Sequence, residues 1–67
     1  RQAWEETVSP ALQAQTQLVD YKKKVLIVSV SSHSWLQELH YLKPAILAGM
    51  QRQMGPQELK DIHFRLA

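Results

Sequence analysis

A chain of 67 residues with no Cys has room for one compact core and must hold it by packing alone, because neither a disulfide framework nor thiolate metal ligands are available. Eight Lys and Arg against six Asp and Glu leave a net charge of +2, too small to mark a nucleic-acid binder by charge alone. Apolar runs such as Val25-Leu26-Ile27-Val28 fall far short of the roughly 20 residues that span a bilayer, and no secretory n-region and h-region opens the chain. The expectation is therefore a soluble protein, and the absence of Cys fits a reducing cytoplasm. Residues 1–67 are read as a single domain, and Arg1 in place of an initiator Met reads as the start of an excerpt from a longer chain.

Trp4, Val8 and Leu12 recur at helical spacing with Ala11 beside them, which predicts an amphipathic helix from about Gln2 to Gln15. Pro10 interrupts it near Ser9. Either Ser9 caps a second helical piece with Pro10 at its first position, or the helix kinks there, since Pro has no N–H and clashes with the carbonyl four residues back. Two β-branched segments follow, Thr16 to Tyr21 and Val25 to Ser31, separated by Lys22-Lys23-Lys24, and together they read as a hairpin. Alternation puts Leu26, Val28 and Val30 on one face of the second strand, taken as the core face, and Val25, Ile27 and Ser29 on the other.

Ser31-Ser32-His33-Ser34 is a run of helix-capping residues, and Ser34 with Gln37 matches a capping box. From there Trp35, Leu39, Leu42, Ile46 and Met50 form an apolar stripe, widened by Leu36, Leu47 and Met54, that predicts a long helix ended by Gly55-Pro56. Pro44 inside it costs roughly 3 kcal/mol and predicts a kink whose freed His40 carbonyl finds water or a side chain. Finally Ile62, Phe64 and Leu66 alternate with Asp61, His63 and Arg65, the pattern of a strand with one buried face. The order α-β-β-α-β predicts a two-layer α+β fold: a three-stranded sheet with both helices packed on one face, so that every apolar stripe meets one core.

The same residues resemble a known family along nearly the whole chain. The features are Trp4; Thr16 at the end of the first helical region; Ser31-Ser32-His33-Ser34-Trp35-Leu36-Gln37-Glu38-Leu39; the step Lys43-Pro44-Ala45-Ile46-Leu47; and the closing Ile62-His63-Phe64. In order and spacing they are similar to the DciA family of bacterial proteins. Within that likeness Ser9 stands where relatives usually carry Gly, and Lys23-Lys24 occupy a turn where Gly is common. The resemblance implies a KH-like fold, association with the DnaB-type replicative helicase, help in loading that helicase onto DNA, and affinity for single-stranded or forked DNA. It implies a cytoplasmic, nucleoid-associated protein with no membrane, cofactor or small-molecule ligand. The chain lacks the Gly-x-x-Gly loop with which KH domains clamp a nucleotide backbone, so RNA recognition in that style is not expected.

Candidate sites follow from residue chemistry. Lys22, Lys23 and Lys24 at a hairpin tip present three ammonium groups that could grip phosphates and release counterions, although such a turn is also common as a solvated surface. Lys43 and Arg52 are added as further DNA contacts. Trp4 and Trp35 lie on apolar stripes and are read as core before they are read as base-stacking platforms; Tyr21 and Tyr41 are the better exposed aromatics. His33 and His40 stand about 10 Å apart along a helix and share no ion. No nucleophile with a base, no paired carboxylates and no Gly-rich phosphate loop are present, so no catalysis is expected. The function expected is a non-enzymatic accessory of replication; the alternative is a general single-stranded DNA or RNA binder with no helicase role.

Overall fold

The computed structural model describes residues 2–67. Helix α1 (Gln2–Thr7) and helix α2 (Pro10–Ala14) divide the first helical region at Ser9. Ser9 is extended, at φ −64° and ψ 156°, and its hydroxyl accepts from the Leu12 N–H while Pro10 takes the first helical position. Capping, not a kink, is therefore how the sequence breaks here, because Pro needs no donor at that position. Carbonyls left open at the end of α1 are taken up by one side chain: the Gln13 amide donates to Val8 O at 2.8 Å and to Glu5 O at 3.0 Å.

Strands β1 (Thr16–Lys22) and β2 (Val25–Val30) form the hairpin, helix α3 (His33–Met54) crosses back, and β3 (Asp61–Leu66) closes the sheet. The strand order is β1-β2-β3, with β1 antiparallel and β3 parallel to the central β2. This mixed sheet with helices packed against it is the expected α+β fold, and the element order fits a KH-like arrangement. Parallel pairing of β2 and β3 requires a long crossover, which α3 supplies.

Leu26, Val28 and Val30 of β2 and Ile62 and Phe64 of β3 line the inner face of the sheet, as alternation predicts. Trp4 and Val8 from the N-terminal helices and Leu39, Ile46 and Met50 from α3 complete the core with Leu59. Leu59 belongs to no helix or strand, yet it is fully buried, a core residue that periodicity misses. Gly49 of α3 is buried where α1 approaches: a Cβ at Gly49 would stand 2.8 Å from the Thr7 methyl carbon.

Three features differ from expectation. The cap of α3 is Ser32, whose hydroxyl accepts from Trp35 N–H at 3.3 Å, so Ser34 lies inside the first turn and the Ser34/Gln37 box does not form. Strand β1 extends through Lys22, which leaves a two-residue turn, Lys23-Lys24, in place of three. Trp35, expected in the core, is half-buried: it packs against the core edge and walls an open apolar groove of ≈ 400 Å³ with Ala11, Leu12 and Leu42. Helix α3 runs through Pro44, which is exposed together with His40, so the carbonyl that Pro44 leaves without a donor lies on the solvated side.

Candidate nucleic-acid interface

The β1–β2 turn is built from two residues that both have positive φ, Lys23 at 54° and Lys24 at 65°. This type I′ backbone is one of the two favoured in two-residue hairpin turns because it matches the right-handed twist of the strands, and Gly or Asn normally supplies it. A Lys there sacrifices about 1 kcal/mol to its Cβ contact. The sheet sets the loop length: Lys22 pairs with Val25 directly across the turn, which leaves two residues to close it.

Tertiary contacts then add to this end of the sheet. The Lys60 N–H donates to Lys24 O at 2.7 Å, which brings a fourth exposed Lys beside the tip. The loop carrying Lys60 is held from two sides, by the Tyr21 hydroxyl donating to Glu58 O and by the Gln51 amide donating to Leu59 O at 2.9 Å. Sequence reasoning passed over Lys60, and no local signal marks it; the residue reaches Lys24 because Asp61, next along the chain, pairs in parallel with Val25.

Lys43 arrives at the same end but is engaged. Its Nζ stands 3.0 Å from Asp61 Oδ1. The Lys43 hydrogen bond, then the one from the Ile62 N–H at 2.8 Å, holds the Asp61 carboxyl below the usual carboxylate range. Arg52 is not brought into the cluster by any contact: in the last turn of α3, its guanidinium folds back beside Gly49, near Thr7 of α1. The basic end therefore unites Lys22, Lys23, Lys24 and Lys60, holds Lys43 in an ion pair at its margin, and leaves Arg52 on the helical layer.

The other polar groups are dispersed. His33 begins α3, His40 meets the Phe64 ring edge-on at 6.1 Å, and His63 lies on β3. Among the described residues no three His, Cys, Asp or Glu side chains are close enough to hold a metal ion, and no helix is long and apolar enough to cross a membrane. Tyr41 is 81% exposed and Tyr21 45%, so both predicted surface aromatics are at the surface, although the Tyr21 hydroxyl is occupied by Glu58.

A mixed three-stranded sheet with its helices on one face and a lysine-tipped hairpin at one end defines the class: a small α+β domain of KH-like order with a basic turn. The chain belongs to the DciA family, described as the Dna[CI] antecedent, whose family model matches residues 1–64. That family is associated with loading of the DnaB helicase in DNA replication. No curated protein matches the chain.

Proposed function

We propose that this domain is a non-enzymatic accessory of bacterial DNA replication that binds the DnaB-type replicative helicase and assists its loading onto DNA. In this reading DNA is contacted through the basic end, by Lys22, Lys23 and Lys24 with Lys60, and by Lys43 and Arg52 as flanking cations. The observation that carries the DNA contact is the pair Lys23 and Lys24 held at positive φ, next to a third and a fourth Lys. Strain kept where Gly would relieve it favours a role for the side chains over a role for the turn. Membership in a family tied to helicase loading supports the helicase half.

A domain without a nucleotide site works by differential binding. It would favour the helicase conformation, or the open ring, that admits single-stranded DNA, by as much as its affinities for the two states differ. Calorimetry of the chain against the replicative helicase of its own organism, at moderate salt and with nucleic acid removed, tests the first half, and saturable binding is expected. For the second half, K22E/K23E/K24E should abolish DNA binding yet leave helicase binding intact. Three phosphate contacts on a single strand give a log–log salt slope of roughly −2, which the variant should lose. Absence of saturable helicase binding would overturn the loading assignment.

A further inference from the structure

Both helical layers cover one face of the sheet, and the opposite face has no partner among the described residues. Its residues are fixed by the register. The bulge at Leu18/Asp20 resets the alternation of β1, so three rows run across the open face: Lys22–Val25–Asp61, Asp20–Ile27–His63 and Gln17–Ser29–Arg65. Val25 and Ile27 form an apolar stripe down the middle, and Val19, the extra residue of the bulge, is 45% exposed beside it. Open faces of antiparallel sheets are ordinarily polar throughout; an apolar central stripe flanked by charges has the anatomy of an interface core and rim.

We propose that the occupant of this face is a second copy of the same chain, stacked sheet on sheet about a two-fold axis parallel to β2. The charge pattern carries the argument. Rotation about that axis sets each β1 residue against the β3 residue of its own row in the other copy. Lys22 then meets Asp61, Asp20 meets His63 and Gln17 meets Arg65, each pair formed twice, while Val25 and Ile27 stack on their counterparts along the axis. The alternative two-fold axis, perpendicular to the strands, sets Asp61 against Arg65 but also Asp20 against Asp20 and His63 against His63. Only the first axis brings no like charges together, and the Asp20–Asp20 contact is a penalty against the second.

Further geometry agrees. Stacked sheets lie about 10 Å apart, the separation that Val and Ile side chains from two faces fill. Their strands cross at about 30°, and the long side chains of Lys22 and Arg65 absorb the resulting offset at the corners. The Asp61 side chain is 49% exposed, and Lys43 and the Ile62 N–H both meet its Oδ1. Three strands of about 20 Å at about 4.8 Å spacing give a footprint of only about 300 Å² per copy. That lies below the roughly 800 Å² per partner of a standard stable interface. The dimer is accordingly weak and transient, populated at high protein concentration and dispersed by salt.

Sedimentation of the full chain from low micromolar to near-millimolar concentration, at low and at high salt, tests the assembly. A monomer–dimer equilibrium weakened about tenfold or more by high salt is expected. The decisive variants exploit the fact that Asp20 and His63 flank Ile27 on opposite strands and do not touch within one chain. D20K should disperse the dimer, and D20K/H63E should restore it, because the swapped charges meet only between copies. I27D, its fold verified by thermal melting, should be monomeric. A chain that stays monomeric at every concentration, or a D20K/H63E variant as dispersed as D20K alone, would overturn the proposal.

Discussion

Lys43 and Asp61 hold each other between the middle of α3 and the first residue of β3, Nζ to Oδ1 at 3.0 Å. The pair neutralises a helical cation that reaches the basic end of the sheet. Asp61→Asn should therefore free Lys43 for phosphate and tighten DNA binding about two- to three-fold at low salt, with the gain lost as salt rises. Fluorescence anisotropy with a labelled single strand reads this directly; unchanged affinity would mean that Lys43 takes no part.

The same pair predicts a pH dependence. The Asp61 carboxyl titrates lower in the folded chain than its ordinary value of 3.8, so the unfolded chain binds more protons over the interval just below pH 4. Its contribution is fully present above that value and disappears as pH falls through the folded pKa. Because the Asp61 side chain is 49% exposed, solvent screening limits the effect to about 0.5 kcal/mol. Denaturant midpoints of the native chain and Asp61→Asn should differ at pH 6 and approach one another as the pH falls below 4.

Lys24→Gly separates stability from affinity. Gly adopts the positive φ of 65° freely, so the variant should gain about 0.5–1 kcal/mol even though Gly loses more entropy on folding elsewhere. DNA binding should weaken, and its salt slope should shrink by about 0.7 for the one phosphate contact removed. A variant that is both more stable and equally avid would assign the lysine to solvation alone.

The two tryptophans should respond differently. Trp4 is 4% exposed and tilts against Phe64 at 6.5 Å, so Trp4→Ala should cost about 3–5 kcal/mol, close to the whole stability of so small a domain. Trp35 shares its surface with an open groove, and Trp35→Ala should cost about 1–2 kcal/mol and leave a folded chain. Thermal unfolding of the two variants checks the ranking.

Gly49→Ala tests the contact of α1 with α3. An alanine methyl would stand 2.8 Å from Thr7 Cγ2, and the strain should cost about 1–3 kcal/mol, more than the gain of about 1 kcal/mol that Ala brings to a helix interior. Thr7→Ser removes the offending methyl. The double variant T7S/G49A should then recover to at least the native midpoint in a urea titration.

The elements themselves were legible because their signals are local. Alternation in Ile62-His63-Phe64-Arg65 and in Leu26-Ile27-Val28-Ser29-Val30 follows from a backbone that turns each side chain to the opposite face. The stripe from Leu39 to Met50 follows equally from the helical repeat, and Ser9-Pro10 from the one helical position where Pro sacrifices nothing. The capping residue of α3 was harder to place, because Ser31, Ser32 and Ser34 offer the same hydroxyl and only the path of the chain leaving β2 selects Ser32.

Sequence alone thus determined the fold class, the order of elements, the inner face of the sheet and the basic turn, each a matter of residues within one or two turns or strand repeats of one another. Tertiary structure decided what depends on distant segments meeting. It placed β3 parallel beside β2, buried Leu59, carried Lys60 to the Lys24 carbonyl, drew Lys43 to Asp61 and left Arg52 apart. It also shifted β1 by a bulge, so that Asp20 and Lys22 came to the open face beside Ile27 and Val25. Register between strands is set by crossover length and by which apolar faces must be buried together, and these are properties of the closed core that no short window of sequence contains.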